Sequence, residues 1–327
     1  MGPNTSRAVK QPTVTKTTTA NTLAGKVAQS TNIQSPESSN SSPIELVTTL
    51  EGVDFTREYH GVEDSDYFLP SDFIEQDRLE LQHYLLRHLF KGDVTREDIK
   101  NFVATNPNSK ILDVGCANGY WLDSMSKIYP LAELHGVDLA PSIIENAAKF
   151  LPKANFTVGN VVTGLPYEDN SFDFVHQRYL ILGLPGDQFP TAIRELIRVT
   201  KPGGWIELVE LILTSFKMQT DVVAYRSGPI MDKVLAAVKE IMAPRKLDLF
   251  AGLNLVNYVK LATKKTSLTA VNLQKRTVSV PCNWGGPIGE LAGADAKQLY
   301  LTMEDFLHRQ LGVEREEYKE LIDKMIE

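Results

Sequence analysis

The sequence predicts an α/β fold: a doubly wound, mostly parallel sheet with helices on both faces. From about Pro107 onward, short runs of β-forming residues alternate with stretches of helical spacing. That alternation calls for parallel strands joined by right-handed crossovers. A glycine-rich turn from Gly115 to Gly119 follows the first of these strands and opens a helix, which is where a doubly wound sheet brings backbone close to a nucleotide. No run approaches the roughly 18–20 apolar residues of a membrane helix, so a water-surrounded core is expected.

The elements follow in chain order. Residues 1–43 hold 19 Thr, Ser and Asn and no aromatic residue. Such a segment buries too little apolar surface to offset its ordering entropy and reads as a disordered tail. Residues 44–106 read as N-terminal lid helices. Asp72 followed by Glu75 resembles a capping box. Beyond it, Ile74, Leu79, Leu81, Leu85, Leu86, Leu89 and Phe90 share one broad arc at 100° per residue. Glu75, Arg78 and Gln82 fall within that arc; Gln76, Glu80, His83 and Arg87 form the opposite, wetter stripe.

Residues 107–215 read as the core. Lys110–Val114, Glu133–Asp138, Asn155–Val158, Phe172–His176 and Trp205–Leu211 have strand character, and Lys201-Pro202-Gly203-Gly204 is a turn signal just before the fifth. Gly119–Tyr129, Ser142–Phe150 and Gln188–Thr200 have helical spacing. Residues 216–327 read as a substrate cap, a sixth strand and C-terminal helices. Pro229–Ile241 and Leu253–Thr263 look helical, and Met231, Met242 and Phe250 either line the pocket or pack the core. Ser267–Val280 alternates like a long strand, then Gly-rich coil leads into helices at Lys297–Leu311 and Arg315–Ile326. With no turn signal inside 267–280, six core strands and a shortened chain are expected.

Composition narrows the function. The net charge is −7 over 327 residues, which argues against a nucleic-acid surface built on bulk charge. Two cysteines, Cys116 and Cys282, form no disulfide framework and suit a reducing compartment. The cytoplasm is expected, with the nucleus as the alternative. The six histidines show no paired ligand spacing, so no metal is expected.

The spacing of the turn bears on its ligand. In a dinucleotide fingerprint the third glycine stands five residues after the first; here that position is Tyr120. Asp113, two residues before Gly115, would repel a pyrophosphate but attract a sulfonium. S-adenosylmethionine therefore fits better than a dinucleotide. Asp138, closing the second strand, either holds both ribose hydroxyls or caps the next helix. Asn160, after the third strand, is an adenine contact or a polar turn residue.

Asp113-Val-Gly115-x-x-x-Gly119, His135-Gly136-Val137-Asp138, Ser171–His176 and Lys201-Pro-Gly-Gly-Trp205 resemble class I S-adenosylmethionine-dependent methyltransferases, with a Rossmann-like sheet. Tyr67-Phe-Leu-Pro-Ser-Asp72 with Glu75-Gln-Asp-Arg-Leu79 and Gln82-His83 is similar to the fungal LaeA-like and secondary-metabolism methyltransferases. The resemblance implies that the first motif contacts the methionine part of the cofactor, through Asp113, Gly115 and Gly119, and that Asp138 holds the ribose. It departs at Ala117, where many relatives have Gly, and at Asn160, where many have Asp.

The expected cofactor-binding set is Tyr67, Arg78, Gln82, Asp113, Gly115, Cys116, Ala117, Gly119, Asp138, Leu139, Asn160, Val161 and Gln177. Arg78 has two readings, a methionine-carboxylate contact on the lid or an i,i+3 partner of Glu75. His83 is expected at the surface and His176 as a satisfied core residue. Arg178, Tyr179 and Glu210 are the expected substrate rim, at the carboxyl ends of strands four and five; Glu210 either takes a proton or pairs structurally. No side chain is assigned as a catalytic base, since in-line methyl transfer chiefly needs alignment and exclusion of water. The expected function is methyl transfer to a small secondary metabolite, on oxygen or nitrogen. The alternatives are methylation of a protein in a regulatory complex, or a cofactor-binding regulator without turnover.

Overall fold

The computed structural model describes residues 57–62, 65, 67–213, 228–264 and 272–326. The expected tail at 1–43 lies outside them. Five strands are formed: β1 Lys110–Val114, β2 Glu133–Asp138, β3 Asn155–Val158, β4 Phe172–Arg178 and β5 Thr200–Val209. All neighbours pair in parallel, in the order β3-β2-β1-β4-β5. The chain moves outward in one direction through β2 and β3 and in the other through β4 and β5. The reversal falls between β1 and β4, the place where doubly wound sheets bind ligands at the carboxyl ends of their strands.

Period-2 alternation sorts the strand residues onto two faces. Leu112, Val114, Val137, Phe172 and Val175 pack into a large core with α5 (Phe189–Val199) and α6 (Pro229–Met242). Ile111, Leu134 and Phe174 pack into a second core with α2 (Glu97–Thr105), α3 (Tyr120–Ile128) and α4 (Pro141–Phe150), centred on Trp121, Leu122 and Met125. Asp113 and His176, two residues along from Ile111 and Phe174, lie on this second face and are register partners.

The N-terminal helix α1 spans Phe73–Phe90. Asp72 is its N-cap and accepts from the Glu75 N–H at 3.1 Å. Glu75 turns to Arg78 instead of closing the capping box. The helix ends at Lys91 in the left-handed region. After α7 (Ala251–Thr263) come α8 (Pro287–Thr302), α9 (Glu304–Leu311) and α10 (Arg315–Ile326). Helix α8 lies against α1, α9 against α6, and α10 against α8. All these elements belong to one compact unit, Thr56–Glu327.

Several expectations need correction. The Lys201–Gly204 signal does not precede β5; it lies within it. Phe172 pairs with Thr200 and Phe174 with Trp205, so four residues oppose Asp173 alone. Gly203 adopts φ +80°, and Lys201 Nζ reaches Asp173 Oδ2 at 2.8 Å. The strand also ends at Val209, leaving Glu210 and Leu211 beyond it. Of the expected sixth strand, 267–271 lie outside the described residues, and 272–280 form no strand. The described residues therefore show five strands, not six. The expected coil before Lys297 is helical from Pro287. His83 is buried, 2% exposed, because α1 is covered on two sides, by α8 and by α3.

Candidate functional site

The glycine-rich turn rises from the end of β1. Gly115 and Gly119 hold φ of +72° and +79°, and Ala117 follows at +46°. Such angles are cheap for glycine and costly for alanine. A Cβ on Gly115 would lie 2.5 Å from Leu180 Cδ2, and one on Gly119 3.0 Å from Phe156 Cζ. Both positions favour glycine for conformation, and a side chain at either would also have to displace the Leu180 or Phe156 side chain. Gly115 and Cys116 donate their N–H groups to the Val137 carbonyl at 2.8 and 3.1 Å, tying the turn to β2. Tyr120 stands edge-on to Phe150 at 5.4 Å, on the α3–α4 contact. Buried Cys116 has its thiol pushed well above the ordinary range, by burial first and then by Asp138 and Asp113; it is a neutral packing group.

Asp138 is the pivot between β2 and α4. Its Oδ2 accepts from Ala117 N–H and its Oδ1 from Ala140 N–H, each at 3.1 Å. A carboxylate offers about four lone-pair sites, so two remain for an incoming pair of hydroxyls. Burial pushes its pKa upward despite those bonds. Leu139 lies beside it, partly exposed. Asn160 Oδ1 accepts from Val162 N–H at 2.9 Å, an Asx turn that shapes the loop after β3, while Val161 is buried in the larger core.

At the end of β4, Gln177 is 1% exposed, and its Oε1 and Nε2 find no partner among the described residues. Leaving both unpaired costs free energy, so this amide marks a place where a polar ligand is wanted. Arg178 and Tyr179 follow; Tyr179 is held at φ +57°, a strained conformation for a bulky residue. Glu210, just past β5, accepts from Leu180 and Ile181 N–H at 2.9 and 3.2 Å. It therefore fixes the turn that presses Leu180 onto Gly115. The expected ion pair at Glu210 is replaced by these two backbone bonds. Burial pushes its carboxyl up to about 8.

Above the crevice edge, Tyr67 packs on Gly183, where a Cβ would lie 2.9 Å from its ring. Arg78 is 5% exposed and fully engaged. It meets both Glu75 oxygens at 2.8 and 2.5 Å and Asp295 of α8 at 3.1 Å, and Gln82 Nε2 points to the same Asp295 at 3.4 Å. Of the expected cap residues, Met242 is buried in the core, Met231 Sδ receives the Tyr300 hydroxyl at 3.8 Å, and Phe250 is 40% exposed.

Beneath the turn lies a buried polar layer that periodicity did not reveal. His176 Nδ1 meets Asp113 Oδ1 at 2.8 Å, and its ring stacks on Trp121 at 4.0 Å. Trp121 donates its indole N–H to the Asp93 carbonyl at 2.8 Å. His83 Nε2 faces Ser124 Oγ at 2.9 Å and Asp93 Oδ1 at 3.6 Å, while Asp93 Oδ2 lies 3.3 Å from Arg87 Nε. Asp113 thus has one oxygen held by His176. Asp93 and Asp295 lie in stretches with no spacing signal, and only the fold brings them to α1.

The sheet order brings the turn and the acid closing β2 together at the switch point, where folds of this kind bind nucleotides. Residues 111–204 match the sequence pattern of a methyltransferase domain. This stretch is a class I S-adenosylmethionine-dependent methyltransferase domain. The chain is distantly homologous to fungal N-methyltransferases and to LaeA. It is 32% identical over 156 residues to the N-methyltransferase sirN of Leptosphaeria maculans, covering 47% of this chain and 53% of sirN. The N-methyltransferase gliN of Aspergillus fumigatus is 26% identical over 234 residues, covering 70% of this chain and 77% of gliN. The protein-methionine methyltransferase laeA of Emericella nidulans is 32% identical over 163 residues, 47% of this chain and 39% of laeA. The chain thus spans about half the length of sirN and less of laeA. S-adenosylmethionine is the methyl donor of this class, and the unpaired Gln177 amide and the spare lone pairs of Asp138 fit a polar nucleoside ligand. No described helix is long and apolar enough to cross a membrane.

Proposed function

We propose that this protein transfers a methyl group from S-adenosylmethionine to a small secondary metabolite, on nitrogen or oxygen. The observation that carries the reading is the coupling of turn and acid: Asp138 braces the Ala117 N–H while keeping acceptor sites for a ribose. The cofactor supplies an electrophilic methyl group on sulfur. The chain supplies binding, orientation and exclusion of water.

In this reading Asp138 takes the two ribose hydroxyls and the Asn160 loop borders the adenine. The Gly115–Gly119 turn admits the amino-acid end past Asp113, Cys116 and Ala117. Tyr67 and the α1 helix, with Arg78 and Gln82, close the crevice from above. The Gln177 amide meets the cofactor, Arg178 and Tyr179 face the acceptor side, and Glu210 holds their turn in shape. The fungal N-methyltransferases among the relatives favour a nitrogen nucleophile. An amine that arrives neutral needs no strong base. The similarity to laeA supports a second reading, methylation of a protein.

The experiment is transfer of radiolabelled methyl from S-adenosylmethionine into extracts of a fungal culture, separated into metabolite and protein fractions. Label in the metabolite fraction is the expected result. Label only in protein selects the second reading, and label in neither contradicts both.

A further inference from the structure

Resting on the methyltransferase reading, we propose that Arg178 is a carboxylate-recognition residue, held ready by His83 at the carboxyl end of β4. Its environment differs from that of Arg78, Arg57 and Arg198, each of which meets a carboxylate. Arg78 has Glu75 and Asp295, Arg57 has Asp72, and Arg198 has Glu195 and Asp169. Among the described residues, no carboxylate oxygen lies within 4.0 Å of the Arg178 guanidinium. Its one hydrogen-bond contact is NH2 to His83 Nδ1 at 3.4 Å.

The surrounding acids all lie beyond 4.0 Å of the guanidinium. Asp113 Oδ1 is held by His176, Asp93 lies against Arg87 and His83, and Glu207 Oε1 accepts from the Thr95 N–H and hydroxyl at 2.9 and 2.6 Å, while both Asp93 oxygens and Glu207 Oε2 have no hydrogen-bond partner among the described residues. His83 itself carries no charge: burial, with Arg178 and Arg87 nearby, pushes it down to about 3. With Nδ1 facing the Arg178 donor, the ring proton sits on Nε2, toward Ser124 Oγ. A neutral imidazole therefore orients the guanidinium without neutralising it.

Arg178 is partly buried, and burial shifts its pKa downward. An unpaired, desolvated cation is costly. A planar fork matches a carboxylate bidentately. The backbone around it is fixed: Tyr179 N–H donates to Val209 O at 2.9 Å, and Glu210 holds the next two N–H groups. Gln177 points to the opposite face of the sheet and serves a different contact. The carboxylate has two sources of the same chemistry, the amino-acid end of the cofactor or an acidic acceptor.

Calorimetry on the full chain separates them. Wild type, Arg178→Met and Arg178→Lys are titrated with S-adenosylhomocysteine and with 5′-methylthioadenosine, which lacks the amino-acid end. Protein saturated with S-adenosylhomocysteine is then titrated with benzoate and with benzamide. If the cofactor is the source, Arg178→Met loses about 10- to 100-fold of the preference for S-adenosylhomocysteine, the range of a charged hydrogen bond. If the acceptor is the source, that preference stays and the preference for benzoate over benzamide disappears. Arg178→Met removes a cation that also faces the buried carboxylates of Asp113, Asp93 and Glu207, so its thermal stability is measured alongside. Should that variant fail to fold, Arg178→Lys keeps the charge, loses the fork and gives the same readouts with smaller losses. Both preferences unchanged by either variant, or absent from wild type that binds S-adenosylhomocysteine, would overturn the proposal. Wild type that binds neither nucleoside would instead overturn the methyltransferase reading.

Discussion

Glu210 illustrates how one side chain shapes this crevice. It joins the end of β5 to the turn after β4 by two backbone bonds, and that turn carries Leu180 to its contact with Gly115. Its carboxyl stands at about 8, with desolvation outweighing the bonds it accepts. An acid with a raised native pKa binds more protons folded than unfolded between its ordinary value near 4.3 and about 8. Its contribution is therefore full below that window and is lost as pH rises through it. Urea unfolding of wild type across pH 5 to 8 should show stability falling, with a slope of at most about 1.4 kcal/mol per pH unit from this one proton. Glu210→Gln should flatten that slope; an unchanged slope would mean that another group titrates. At this scale the sequence was partly legible. The turn glycines and Asp138 were marked by spacing, and each has a steric or hydrogen-bonding reason for its identity. His83, Asp93 and Asp295 were not, because long-range packing alone makes them neighbours.

Helix α1 shows where periodicity misleads. A single apolar arc presumes one covered side, but α1 is packed by α8 and by α3, so polar residues on two flanks are buried. Arg78 bridges Glu75 of its own helix and Asp295 of α8. Removing one partner of a buried pair strands the others, at a cost of about 3–5 kcal/mol. Arg78→Met should therefore lower the unfolding free energy by that order, measured by urea denaturation. A loss below about 1 kcal/mol, with weakened S-adenosylhomocysteine binding, would show that Arg78 serves the cofactor instead. The contrast with Arg178 is deliberate in chemistry: one guanidinium is saturated by carboxylates, the other is held by a neutral ring. Strand β5 teaches a related lesson. Pro202, Gly203 and Gly204 read as a turn because they suit one, yet the pairing resumes beyond them and absorbs them as an irregularity opposite Asp173.

Across the whole molecule, the strands were the most legible feature. Buried parallel strands are short apolar runs, and β1, β2 and β3 begin and end where the sequence places them. The C-terminal region was less so. The alternation of 272–280 is present in sequence, but these residues pair with no strand among those described. Alternation states which face a residue would take; a partner is needed to make the strand. The order β3-β2-β1-β4-β5 puts the glycine turn, Asp138 and Gln177 together at the carboxyl ends of the three inner strands, and the central claim is that this end of the sheet binds the nucleoside of S-adenosylmethionine. A calorimetric titration of the full chain with S-adenosylhomocysteine and, separately, with NAD tests it most directly. Saturable heat with S-adenosylhomocysteine and none with NAD is predicted, whereas binding of NAD alone would contradict the account.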